Sequence, residues 1–274
     1  MTILLRGFYK EKDFKGVKGF NFGVGILGPP LMTAWCYAVD DLLVDTGITR
    51  MRKKALATLS SQRPSRILLT HHHEDHSGNA GPLAKQLNAK VYGHSYAAKK
   101  LATPYRIFPY QHLMWGRAAP VKVHPFDEVI ETRTMALHPI HTPGHSKDHT
   151  VFFEKAKGWL FSGDLFLGEK IKYFRADENM PQQILSLKKT LSLEFDTLFC
   201  AHRPTMSKGK QALSRKLDFL ENLTEEVLFH HKKGLDEKEI IQALDTKADR
   251  TIRWITMDNV SFGHMVRSIL NDHC

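Results

Sequence analysis

The stretch 70–78 reads T-H-H-H-E-D-H-S-G and concentrates side chains that bind metals. Within it His71, His73, Asp75 and His76 form an H-x-H-x-D-H cluster directly after the apolar residues Ile67, Leu68 and Leu69. A strand alternates its side chains, so His71 and His73, leaving a strand end, point the same way and can grip one cation. Asp75 and His76 follow on the turn and suit a second cation beside the first, because imidazole and carboxylate both serve zinc, manganese or iron. Ser77, Gly78, Asn79 and Pro82 then turn the chain into a helix. A solvent-exposed histidine-rich loop is the bland alternative, and this spacing at a strand end argues against it.

Other strand ends carry further candidates. Asp45-Thr46-Gly47 closes the strand Leu42–Val44, where Asp45 is either a group that hydrogen-bonds a metal ligand or a turn-forming residue. Pro143-Gly144 makes a tight turn that can project His145 towards His71 and His73. Asp164 ends the strand 159–161, and a carboxylate there can give one oxygen to each of two cations. His202 follows the strand Thr197–Cys200. Four separate strand ends thus terminate in metal-competent residues, which predicts a two-metal site. His72 lies between two ligands and should point away, while His149 is either a proton donor to a leaving group or a structural histidine.

These side chains need a scaffold. Thr33–Val39 and Leu42–Val44 read as a hairpin, 49–61 and 82–87 as helices, and Lys90–Tyr92, 121–124 and 129–138 as strands. Residues 8–28 read as short strands joined by turns, and 181–193 as a helix. Alternating strands and helices predict an α/β layered fold. Residues 103–120 break the rhythm, with Pro104, Pro109 and Pro120 among Tyr105, Tyr110 and Trp115. Such a connection is either a pocket wall or a satellite cluster under a loop. Beyond it, apolar residues at helical spacing predict a helix over 211–232 and a second over 235–244, opened by Asp236 and Glu237. The expected division is a catalytic domain over 1–206 and a helical extension over 207–274, winged-helix-like or covering the pocket.

The formal charge is +10 over 274 residues, and Glu74 and Asp75 are the only acids between Asp45 and Asp127. Such a basic half favours an anionic small-molecule substrate or nucleic acid. Only Ile3, Leu4 and Leu5 precede charged residues at the start, and no later apolar stretch is long enough to span a bilayer, so no export signal or membrane partner is expected. Cys36, Cys200 and Cys274 are odd in number and lack metal spacing, which predicts reduced thiols and a cytoplasmic setting.

Taken in order, H-x-H-x-D-H at 71–76, T-P-G-H at 142–145, S-G-D at 162–164 and the late His202, preceded by D-T-G at Asp45, resemble the metallo-β-lactamase superfamily of dinuclear hydrolases. The resemblance covers about the first three quarters of the chain. It implies an αββα sandwich, with His71, His73 and His145 at one metal, Asp75, His76 and His202 at the other, and Asp164 between them. It also implies a hydroxide held by two divalent ions as the attacking group, oriented by Asp75, with zinc favoured and iron or manganese compatible. The block 141–168 looks closer to the glyoxalase-II-like and endoribonuclease branches than to antibiotic-degrading enzymes. Ala201-His202-Arg203-Pro204 departs from the G-H-E-Y of glyoxalase II, which argues against glutathione as the thiol. The expectation is a hydrolase of thioester or ester small molecules. The alternative is a metal-dependent endoribonuclease whose basic half contacts phosphates and whose Tyr105, Tyr110 or Trp115 stacks on bases of single-stranded RNA.

Overall fold

The computed structural model describes residues 6–25, 28–30, 32–244 and 249–271; Ile3, Leu4, Leu5 and Cys274 lie outside them. One sheet has seven strands in chain order: β1 (Arg6–Phe14), β2 (Val17–Gly25), β3 (Thr33–Val39), β4 (Leu42–Val44), β5 (Arg66–Leu68), β6 (Lys90–Tyr92) and β7 (Val123–His124). Its first four strands are antiparallel and its last four parallel. Helices α1 (Arg52–Ser60), α2 (Glu74–Ser77), α3 (Ala80–Leu87), α4 (Ser95–Leu101) and α5 (Pro109–Met114) occupy the connections after β4. The second sheet is built from β8 (Ile130–Glu131), β9 (Ala136–His141), β10 (Thr150–Glu154), β11 (Trp159–Gly163) and, after the two-residue β12 (Phe174–Arg175) and helix α6 (Met180–Leu191), β13 (Thr197–Cys200). Its spatial order is β13-β11-β10-β9-β8, with β13 parallel to β11 across the α6 crossover. Helices α7 (Gly209–Lys232), α8 (Glu237–Ala243) and α9 (Asp249–Thr256), strand β14 (Val260–Ser261) and helix α10 (Phe262–Leu270) follow.

Side-chain alternation builds three apolar layers. Trp35, Tyr37, Leu42, Val44 and Leu68 face Phe152, Phe161 and Phe199 between the two sheets. Cys36, Leu43 and Ile67 point the other way, onto Leu59 and Leu83 of α1 and α3. On the far side Val151, Leu160 and Leu198 pack against Leu187, Leu213, Leu220 and Ile269 of α6, α7 and α10. Strands covered on both faces need apolar runs, which is why β3, β10, β11 and β13 have apolar centres, with polar residues only towards their ends. The result is an αββα sandwich whose carboxy-terminal helices share a core with the second sheet.

Three elements differ from expectation. Where short strands are expected over 8–28, residues 6–25 form one long hairpin, nine residues per strand. The edge strand β1 is exposed along most of its length, and its few apolar side chains, Phe8, Tyr9 and Phe14, do not alternate. Residues 129–138 split into β8 and β9 because Asp40 accepts from Thr132 Oγ1 at 2.7 Å and Thr134 N at 2.8 Å, pinning a turn there. The connection 103–120 contains α5, opened by Pro109.

Candidate metal centre

The parallel strands β4 and β5 and the strands β11 and β13 end on one rim of the sandwich, where crossovers leave a crevice at the carboxyl ends of strands. Two buried groups of ligand-type side chains meet there: His71, His73 and His145 in one, Asp75, His76, Asp164 and His202 in the other. All seven residues singled out from the sequence are thus brought together.

In the first group His71 Nε2 lies 2.8 Å and His145 Nε2 3.1 Å from His73 Nδ1. The outer nitrogens are occupied: His71 Nδ1 meets Thr70 Oγ1 at 3.0 Å and His145 Nδ1 meets the Glu178 carboxylate at 3.2 Å. With protons on those outer nitrogens, the tautomer the network favours, both Nε2 atoms present lone pairs inward. Burial, with the neighbouring imidazoles, pushes the His71 pKa well below its ordinary value, and burial with Arg175 does the same for His73. His145 shifts the other way, because Glu178 and Asp164 outweigh its burial; three imidazoles converging at this distance suit a cation.

In the second group the outer nitrogens are likewise engaged, but against the opposing effect of burial the facing carboxylates, Asp164 foremost, raise the pKa of both His76 and His202. His76 Nδ1 is 2.7 Å from Asp45 Oδ2, and His202 Nδ1 donates to the Thr33 carbonyl at 2.6 Å. Their Nε2 atoms face Asp164 Oδ1 at 3.3 and 3.1 Å, while Asp164 Oδ2 faces His145 Nε2 at 3.3 Å. Asp164 therefore offers one oxygen to each group. Asp75 Oδ2 stands 3.8 Å from both His76 and His202 Nε2. The contacts of Asp164 Oδ1 are close but misaligned: His76 Nε2, His202 Nε2 and Asp164 Oδ1 are all buried without a hydrogen bond. Orphaned buried polar atoms are rare, and here three point at one another with metal-ligand chemistry. The donor set fits divalent cations. Burial opposes charge on Asp164, yet His202 and His76 outweigh it and hold its carboxyl well below the usual range.

Support comes from the surrounding shell. Asp45, in the left-handed region at φ 59°, also accepts from Thr70 N at 2.9 Å, so one carboxylate fixes both His76 and the start of the histidine loop. The geometry places Asp45 as the group that orients a candidate ligand. His149 is structural: its Nε2 accepts from Asp164 N at 3.0 Å, its Nδ1 meets Thr142 Oγ1 at 2.8 Å, and burial pushes its pKa down to about 3. His72 points away and pairs with Asp148 at 2.8 Å. Gly163 has φ +47°, and a Cβ there would come within 2.8 Å of His149 Nε2.

A cavity of about 370 Å³ opens onto His73, Asp75, His145 and Asp164. Its walls are apolar, with Met32, Met114, Trp115, Leu167, Ile252 and Ile255 among them. The connection 103–120 is thus a pocket wall, and α9 of the helical extension supplies another. Buried Glu74 anchors the first wall by accepting from Tyr105 Oη and Gln111 Nε2, both at 3.2 Å. Sequence reading missed Glu74, Tyr173, Arg175 and Glu178 as site residues. Only the position of Glu74 inside the histidine cluster could have flagged one of them.

A model of the metallo-beta-lactamase superfamily matches residues 31–202. The chain belongs to that superfamily. Among its relatives, the probable metallo-hydrolase YybB of Bacillus subtilis (strain 168) is 32% identical over 163 residues, covering 55% of this chain and 71% of the relative. A hydroxyacylglutathione hydrolase of Legionella pneumophila (strain Corby) is 33% identical over 150 residues, covering 53% of this chain and 51% of that protein. The match therefore spans about half the length of the hydroxyacylglutathione hydrolase. An atrochrysone carboxyl ACP thioesterase of Aspergillus fumigatus is 27% identical over 201 residues, covering 69% of this chain and 55% of that protein. Among solved structures, a metallo-beta-lactamase family protein from Thermus thermophilus superposes with TM-score 0.60 at 20% identity, covering 98% of this chain and 92% of that one, which shows the shared fold. The superfamily implies divalent metal ions. No described helix is long and apolar enough to cross a membrane.

Proposed function

We propose that the chain hydrolyses thioesters of small apolar acyl groups at a two-metal centre, in which His71, His73 and His145 would hold one ion, Asp75, His76 and His202 would hold the other, and Asp164 would offer an oxygen to each. The observation that carries the reading is the apolar cavity that opens directly onto these side chains. Two of the relatives bear names of thioester-cleaving activities. Bound divalent cations, zinc being the metal this nitrogen and oxygen donor set favours, supply Lewis acidity towards the acyl carbonyl and lower the pKa of water.

The chain's own residues do the rest. Met114, Trp115, Ile252 and Ile255 exclude bulk water and receive the acyl group, which strengthens electrostatic interactions at the carbonyl. Asp75, whose Oδ2 stands 3.8 Å from two candidate ligands, orients the attacking water. His149 takes no part as an acid, because both ring nitrogens are engaged and the ring stays neutral. Water adds to the carbonyl carbon, the C–S bond breaks, and the products are a carboxylic acid and a thiol.

Among the described residues Arg175 is the only basic side chain in the cavity wall besides the histidines, a poor lining for a phosphodiester backbone. The endoribonuclease alternative predicts affinity that falls steeply with salt, since phosphate contacts release counterions. The test is His73→Ala with metal content and thioester turnover measured together. Turnover should fall by about 100-fold or more with less metal bound and the fold retained; full activity in the variant would sink the assignment. Single-stranded RNA in the same assay is the comparison substrate, and its cleavage in place of the thioester would overturn the acyl reading.

A further inference from the structure

Arg175 lies on β12, whose partner strand β14 comes from the carboxy-terminal segment through the pairs Phe174↔Ser261 and Arg175↔Val260. Its side chain is only 19% exposed, and it lines the same cavity as His73 and His145. Its Nε lies 3.3 Å from Asp177 Oδ1, on a side chain that is itself 54% exposed. Its two terminal nitrogens have no hydrogen-bond partner among the described residues.

The nearby carboxylates are already engaged. Glu74 takes Tyr105 and Gln111, while Glu178 takes His145, Gln183 Nε2 at 2.7 Å and the Arg175 backbone N–H at 3.0 Å. They balance the guanidinium at a distance without consuming its donors. Asp177 meets Nε alone and is half-exposed, so the two terminal nitrogens of this largely buried guanidinium are left for a partner that the cavity receives. The guanidinium fork matches a carboxylate with two parallel hydrogen bonds, a match that ammonium lacks.

We propose that Arg175 is the anion anchor of the cavity: the substrate is a thioester whose apolar acyl group bears a carboxylate, held by Arg175 while the scissile carbonyl lies at the metal centre. This rests on the thioester reading above. Trp115 and Leu167 of the same cavity would contact the apolar body between the two polar ends.

The experiment compares 4-carboxybenzoyl and 4-methylbenzoyl thioesters of one thiol with the metal-loaded protein. The carboxylate substrate should be preferred in kcat/KM by about 10- to 100-fold, the span expected of hydrogen bonds to a charged group. The preference should fall towards unity in Arg175→Gln and be partly kept in Arg175→Lys. Calorimetric titration with terephthalate and with 4-methylbenzoate gives a second readout that needs no turnover: the dicarboxylate should bind more tightly, and only while Arg175 is present. Equal kcat/KM and equal binding for the two partners of each pair in the wild type would overturn the proposal, as would a preference that survives in Arg175→Gln. If neither thioester is cleaved but the Arg175-dependent binding difference is present, the anchor stands and the thioester reading fails.

Discussion

Asp45 Oδ2 sits 2.7 Å from His76 Nδ1, on the opposite side of the imidazole from Nε2, which faces Asp164 at 3.3 Å. One carboxylate thereby sets the tautomer and the aim of a candidate ligand. Because the same group accepts from Thr70 N, it also couples the end of β4 to the histidine loop after β5.

Asp45→Asn tests this coupling. Asn tolerates the left-handed backbone at this position, so the change isolates the charge. Metal affinity should drop about 10- to 100-fold, as expected for loss of an outer partner of a ligating histidine. Competition with a chromogenic chelator measures it, and unchanged affinity would show that His76 is held by something else.

Gly163→Ala probes the turn that presents Asp164. The positive φ and the close approach of His149 Nε2 and Thr70 Cβ leave no room for a methyl group. Stability should fall by about 1–3 kcal/mol. Denaturant unfolding checks this, and an unaffected midpoint would mean that the strand end relaxes freely.

Lys216 gives a pH signature. It is fully buried in α7, its Nζ donates to Leu165 O at 2.7 Å and to Gln183 Oε1 at 3.3 Å, and burial pushes its pKa down to about 8. The unfolded chain keeps this lysine protonated up to its ordinary value near 10.5. Between those pH values the unfolded state binds more protons, so this group makes stability rise with pH, by on the order of 3 kcal/mol across the window. Lys216→Met should remove that rise. Unfolding free energies of the two proteins at pH 7.5 to 10 (about the span of the two pKa values) are the measurement, and parallel curves would contradict the assignment.

The site was more legible than its surroundings. His71, His73, Asp75 and His76 stand on one loop, Asp164 and His202 each follow an apolar run, and His145 follows a Pro-Gly turn, so residue type and position coincide. Strands β3, β10, β11 and β13 were legible because both their faces are buried. Glu178 was not, since it lies in an aperiodic loop and meets His145 only when α6 packs beneath the second sheet. Arg175 gave no signal for a similar reason: β12 is two residues long and exists through its pairing with β14, 85 positions on between Arg175 and Val260. The role of 103–120 as a wall depended on Glu74, whose contacts with Tyr105 and Gln111 are tertiary. The polar edge strand β1 was hidden because hydrogen bonding to β2, not apolar patterning, defines it.

The most direct test of the central claim is turnover of an apolar acyl thioester as metal is added back to metal-stripped protein, with bound metal quantified at each point. Activity should rise until two equivalents per chain are bound, and an Asp164→Asn variant should lose both the second equivalent and the turnover. Saturation with two equivalents and no thioester cleavage would contradict the proposed activity, and full activity in Asp164→Asn would contradict the proposed centre.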